Sequence, residues 1–321
     1  MKILSRQQIE PLIAFSEIVA AIEQGFMAYS KGECVIPPVA SLHFESPPGE
    51  CHIKYGYSKN GKYYVVKIAS GFKGNFKLGL PTGNGLMLLF DKHTGKSLAI
   101  LLDEGYLTEL RTAAAGCVAA KYLAPKNISC VGIVGTGAQA FYQLQLLSHA
   151  TQCRKVMVWG RNDAKVNKFI QHPALSDWNI SPAASLDTLT LNCNLIVTTT
   201  SSTEPLLFAD QIRPGTHITA VGADDSGKQE LDPSLFSITD RIIVDSRSQC
   251  EKIGDTSYAF KKGILNHDRM IELGQVISQP SLGRTSEEQI TIADLTGVAI
   301  QDLQIATFIY EKFQNNNHLS K

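Results

Sequence analysis

The chain has 321 residues, enough for two ordinary domains, and its 30 basic and 30 acidic side chains cancel. That balance argues against nucleic acid or an anionic membrane as a partner, since both need a basic face, and no apolar run approaches the ~18 residues of a spanning helix. Seven cysteines without a CxxC pair and eight histidines without HxxxH spacing argue against a disulfide framework or a zinc site, so no metal is expected.

Polar residues break each apolar run of "MKILSRQQIEPLIAF", so a secretory signal is not expected and a reduced, cytoplasmic setting is. Residues 7–31 predict one amphipathic helix, with Ile9, Leu12, Ile13, Ile18, Val19, Ile22, Phe26 and Met27 recurring near the helical period. From about 40 to 102 come short β-branched and aromatic runs, "HIKYGY", "YYVVKIAS", "GLMLLF" and "SLAILL". The turn segments "KNGK" and "HTGK" separate them, which predicts a mostly antiparallel sheet. "TELRTAAAGCVAAKYLA", 108–124, predicts a small-residue helix ended by Pro125.

From 128 the rhythm is strand, helix, strand: "ISCVGIVG", "KVMVWG", "NLIVTTT", "THITAVGA" and "RIIVDS" are strongly apolar strands. Such alternation implies a parallel sheet covered on both faces. The tail, "TIADLTGVAIQDLQIATFIYEKF", reads as one long helix that need not belong to this part.

The first of these strands runs into Gly135-x-Gly137-x-x-Ala140 and then a helix. In a dinucleotide fold the first glycine makes the tight turn, the second admits a pyrophosphate to the helix N-terminus, and the small third residue lets helix and strand pack closely. At the end of the second strand, where an acidic residue would bind the ribose of NAD, stand Gly160 and Arg161. A guanidinium without a carboxylate there favours NADP(H), with NAD(H) possible should Asp163 serve the ribose instead.

Three polar positions stand out. Lys67 interrupts a strand that should be half buried, where it would need an anion, unless the strand is an edge and the lysine points out. Arg111 opens an alanine-rich helix; its fork suits a carboxylate, although a surface ion pair with Glu109 or Glu104 is the plainer use. Asp224 falls at the carboxyl edge of the expected parallel sheet, where ligands bind, although two carboxylates before Ser-Gly-Lys also make an ordinary cap or turn.

With "VVKIASGF", "GLPTGNGLMLLFDKHTG", "LLDEGYLTELRTAAAGCVAAKYLA", "GIVGTGAQA", "VGADDSGKQELD", "GDT" and "TIADLTGVAIQD" in one collinear order, the chain resembles the ornithine cyclodeaminase/mu-crystallin family. The resemblance implies an α/β fold: a Rossmann-type doubly wound sheet, 120–293, inserted in a second, α+β substrate and dimerisation domain made of 1–119 and 294–321. It also implies a homodimer acting on a small amino or imino acid. By position, Lys67 and Arg111 would clamp the substrate carboxylate and Asp224 would handle the amine or imine proton. Thr82, Arg111, Gly135, Gly137, Ala138, Gln139, Arg161 and Thr199 would line the cofactor, with Val221 and Lys228 along its nicotinamide half.

Two departures shape the expected reaction. Ala40 stands about where many members have an arginine, and Lys54 stands where ornithine-using members have a glutamate. A lysine there repels ornithine's distal ammonium. The expected activity is therefore NAD(P)H-dependent reduction of the C=N bond of a small cyclic or open-chain imino acid. The alternatives are an ornithine cyclodeaminase making proline and ammonia with bound NAD, and a mu-crystallin-like NADPH-dependent binding protein.

Overall fold

A computed structural model describes residues 1–319, which fall into two compact units: residues 1–111 with 298 onward, and 112–297. No single helix among the described residues is long and apolar enough to cross a membrane.

The first unit is a seven-stranded sheet. Its strands are β1 (Lys2–Ser5), β2 (Cys34–Val35), β3 (Ala40–Glu45), β4 (Pro48–Ser58), β5 (Tyr63–Gly71), β6 (Gly83–Asp91) and β7 (Ser97–Leu102). They lie in the order β1-β7-β6-β5-β4-β2, with β3 on β4, and only β1–β7 is a parallel pair. The period of two sorts the side chains. Val65, Lys67, Met87, Leu89, Ala99 and Leu101 are buried on one face. The Ala299–Leu319 helix packs against β4, β5 and β6 and against the Phe15–Ser30 helix. In register across the other face runs an apolar row of Tyr55, Val66, Leu88, Ile100 and Ile3, whose ends, Tyr55 and Ile3, are exposed.

The single helix expected over 7–31 is in fact two. Arg6–Ile9 and the turn Glu10–Leu12 meet Phe15–Ser30 at 90°. Pro11 has no N–H to carry the helical ladder forward, and Ile13 and Ala14 are extended at ψ 127 and 104.

The second unit is an eight-stranded, wholly parallel sheet. It comprises β8 (Val131–Val134), β9 (Lys155–Trp159), β10 (Asn179–Pro182), β11 (Leu195–Thr198), β12 (His217–Ala220), β13 (Arg241–Val244), β14 (Met270–Glu272) and β15 (Thr291–Asp294). The order is β10-β9-β8-β11-β12-β15-β13-β14. Two apolar clusters, one centred on Ile196, Ile218 and Ile292 and the other on Ile133, Leu144 and Val158, form its core. The chain leaves β8 toward β9 and returns on the other side to β11, which makes β8/β11 the topological switch point where a doubly wound sheet opens a crevice.

The tail is not one helix from 291. Thr291–Asp294 is strand β15, between β12 and β13, and the helix begins only at Ala299. Asp245 turns the chain out of the sheet by accepting hydrogen bonds from Thr296 Oγ1 (3.0 Å) and the Gly297 N–H (2.6 Å).

Candidate functional site

In the first unit Lys67 and Arg111 come together on one carboxylate. Lys67 Nζ is 3.2 Å and Arg111 Nε 3.0 Å from Asp302 Oδ1, and all three side chains are buried. The Arg111 Nε contact is an ion pair rather than an aligned hydrogen bond, whereas Arg111 Nη1 donates to Gln301 Oε1 at 2.6 Å. Arg111 is thus not in the surface pair with Glu104 or Glu109. Lys54, also buried, stands directly opposite Lys67 on β4.

Burial, reinforced by Arg111 and opposed by Asp302, lowers the Lys67 ammonium to a pKa of about 7. The Asp103 carboxyl, whose Oδ2 accepts from the Leu107 N–H at 2.8 Å, is pushed up to about 6, chiefly by burial. Lys67 and Arg111 share the Asp302 carboxylate, and a third buried cation, Lys54, stands opposite Lys67, an arrangement of buried positive groups that attracts a small anion. A bidentate guanidinium beside an ammonium is suited to a carboxylate in particular.

In the second unit a cavity of about 500 Å³ opens at the switch point, lined by Gly135, Gly137, Gly160, Arg161, Lys165 and Thr199 among others. Gly135 has φ +122, and a Cβ on it would come 2.4 Å from Thr199 Oγ1, which itself donates to the Val134 carbonyl at 3.0 Å. Only glycine lets the ends of β8 and β11 approach so closely. A Cβ on Gly137 would meet nothing within 4 Å, and the helix Ala138–Leu147 starts just beyond it, with Ala138 and Gln139 in its first turn. An open backbone at a helix N-terminus, flanked by two cations, fits a dinucleotide: anionic phosphates at the helix, Arg161 and Lys165 toward the ribose end.

A side chain at position 160 would crowd its neighbours. A Cβ there would lie 2.9 Å from Thr136 Cγ2 and 3.2 Å from Val166 Cγ2. Asp163 opens the following helix, which Asn162 caps by accepting from the Lys165 N–H at 3.0 Å.

The remaining expected residues are placed as follows. Asp224 is exposed beyond β12, with Lys228 Nζ 2.7 Å from its Oδ1. Val221 is buried just after β12, its N–H donating to Thr198 O at 3.1 Å. Thr82 belongs to the first unit, exposed before β6, and its carbonyl accepts from the Phe72 N–H at 2.8 Å.

Asp302 and Lys165 were not singled out from sequence. An acidic residue within the mostly apolar run "VAIQDLQIATFIY" was the available signal for Asp302. Lys165 carries no such signal, since only the curl of the first helical turn brings it to the cavity.

Comparison with known proteins shows the family and the fold. The sequence profile of the ornithine cyclodeaminase/mu-crystallin family matches residues 1–317. An archaeal alanine dehydrogenase dimer with bound NAD superposes with a TM-score of 0.90 at 35% identity, covering 99% of this chain and 97% of that one. The Δ1-pyrroline-2-carboxylate reductase of Thermococcus litoralis, in complex with NADH and L-proline, superposes at 0.93 with 29% identity, covering 99% and 98%. The iminosuccinate reductase of Paracoccus denitrificans is 31% identical over 311 residues, 97% of this chain and 96% of the relative. The chain belongs to the ornithine cyclodeaminase/mu-crystallin family.

Proposed function

We propose that the protein is a nicotinamide-dinucleotide-dependent reductase of the C=N bond of a small imino acid. The observation that carries this reading is the buried Lys67–Arg111 pair, both cations lying within ion-pair distance of Asp302. The substrate carboxylate would supply the missing negative charge, held by the fork of Arg111 and the ammonium of Lys67. When bound, the dinucleotide supplies the hydride that reduces the imine carbon.

Asp224 would serve the nitrogen, donating its proton directly or through a water, and as a carboxylate it would stabilise an iminium cation. Its ion pair with Lys228 keeps an ammonium at hand to hold the ionised form after proton transfer. Gly135, Gly137, Ala138, Gln139 and Thr199 would hold the dinucleotide's phosphates, with Thr82, Arg111, Val221 and Lys228 as further contacts.

Arg161 and Lys165, with no carboxylate between them and the cavity, favour NADP(H) over NAD(H), although the archaeal and Thermococcus relatives hold NAD and NADH. The archaeal relative is a dimer, and in this chain the apolar row Tyr55–Val66–Leu88–Ile100–Ile3, with exposed ends, is the face on which a second copy would pack. A buried Lys54 counts against ornithine as substrate and so against the cyclodeaminase reading.

The test is a side-by-side incubation. Stoichiometric NADPH or NADH oxidation with Δ1-pyrroline-2-carboxylate or an open-chain imino acid is expected. Ammonia release from ornithine at catalytic dinucleotide, without imine reduction, would replace the reductase by a cyclodeaminase.

A further inference from the structure

Three motifs are left unused by this mechanism: the end of "GKQELD", "GDT" and "TIAD". Each places one fully buried acid in the second unit, Glu230, Asp255 and Asp294. We propose that Glu230 is a positioning residue that fixes the rim of the dinucleotide crevice by tying the carboxyl ends of β11 and β12 together; this rests on the reading that the crevice takes a dinucleotide.

One carboxylate gathers three donors. Thr198 Oγ1, on the last residue of β11, donates to Glu230 Oε2 at 2.7 Å, and the Gly222 N–H, just past β12, donates to the same oxygen at 2.9 Å. The Thr200 N–H donates to Oε1. The two loops are so close that only glycine fits at 222: a Cβ there would lie 2.1 Å from the Thr200 carbonyl and 2.5 Å from Glu230 Oε2.

The backbone repeats the tie. Leu206 and Leu207 N–H groups donate to Glu230 O at 2.7 and 3.1 Å, and the Gln229 N–H donates to Ser202 O at 2.8 Å. Glu230 is held in turn by Asp255, whose Oδ1 accepts from the Glu230 and Leu231 N–H groups at 2.7 and 2.8 Å. Asp294 Oδ2 anchors the start of that acid's helix through Thr256 N–H (2.7 Å) and Oγ1 (2.6 Å).

The tied segments lead directly to the functional surface. Thr199, Thr200, Ser201 and Ser202 line the cavity, and Asp224 follows Gly222 by two residues. A buried carboxylate is costly unless its lone pairs are filled, and here they are filled by donors from both loops at once. A glutamine has one acceptor oxygen for two backbone N–H groups that sit on opposite carboxylate oxygens, so its NH₂ would face either the Thr200 or the Gly222 N–H, neither of which can accept, and that tie would be lost.

The experiment compares full-length wild type, Glu230→Gln and a stability control, Ile290→Ala, whose buried side chain precedes β15 at the amino end of that strand, away from the tied carboxyl ends. NADH and NADPH dissociation constants are read by cofactor fluorescence, with Tm measured alongside. Glu230→Gln is expected to weaken binding of the preferred dinucleotide at least tenfold, while Ile290→Ala at a similar Tm loss stays within twofold.

Binding by Glu230→Gln within twofold of wild type overturns the proposal, as does an equal loss in the control. Should Glu230→Gln fail to fold, Thr198→Val, which removes one donor and keeps the volume, is read by the same criteria. Failure of the wild type itself to bind either dinucleotide would instead overturn the cofactor reading on which the proposal rests.

Discussion

Lys67 and Asp302 meet 3.2 Å apart with neither side chain more than 2% exposed, one from the middle of β5 and the other from the first turn of the last helix. The pair explains how a lysine survives on the packed face of a sheet. Asp302 alone does not keep the ammonium charged at high pH: burial and Arg111 together outweigh its attraction, so Lys67 gives up its proton more readily than a free lysine.

The first prediction is a pH dependence of substrate binding. The Lys67 pKa is lowered from 10.5 to about 7, so in the free protein the ammonium is present below pH 7 and lost above it. Because a bound carboxylate favours the charged form, KM for the imino acid should be level below pH 7 and rise by about tenfold per unit above it. Lys67→Arg, with a group that stays charged, should flatten that rise; an unchanged profile in the variant would assign the titration elsewhere.

Removing the shared counter-ion tests the packing account. Asp302→Asn leaves two buried cations without their carboxylate, which should lower stability by about 3 kcal/mol in urea unfolding. A loss under about 0.5 kcal/mol, the size of an ordinary surface change, would mean that the ion pair contributes little.

Cofactor preference is carried by the two cations at the cavity. Arg161→Asp should weaken NADPH binding by roughly tenfold to a hundredfold, the worth of a hydrogen bond to a charged group, with NADH binding far less affected. Equal losses for both dinucleotides would place recognition of the 2′-phosphate elsewhere.

Asp224→Asn should cut kcat by at least about a hundredfold, the usual contribution of a positioned acid, with the dinucleotide dissociation constant unchanged within threefold. An active variant would remove Asp224 from the chemistry.

Much of this architecture can be read from residues alone, because period and punctuation are local signals. The apolar strands from 131 to 244 and the glycine turn at 135–137 emerge where their patterns place them. Strand β15 does not: "TIAD" runs on into helix-forming sequence, and only its pairing with β12 and β13 makes it a strand. The first helix fails for the opposite reason, since its apolar period continues across a bend that Pro11 and the extended Ile13 impose.

The site shows the same division. Lys67 is conspicuous as a charge in an apolar strand, so the need for an anion can be inferred, but the identity of that anion cannot. Asp302 lies far along the chain, and only the packing of the last helix on β4, β5 and β6 brings it to Lys67. Glu230 is hidden for a similar reason, as its donors come from two loops that meet only once the parallel sheet has formed.

The central claim is that Lys67 and Arg111 seat the carboxylate of an imino acid during its reduction. The most direct measurement is the KM for Δ1-pyrroline-2-carboxylate in wild type, Lys67→Met and Arg111→Met at pH 6.5, with NADPH and NADH binding measured separately. Each substitution is predicted to raise KM at least a hundredfold while leaving the dinucleotide affinities of Lys67→Met unchanged within threefold. Variants that reduce the imine with wild-type KM would contradict the account.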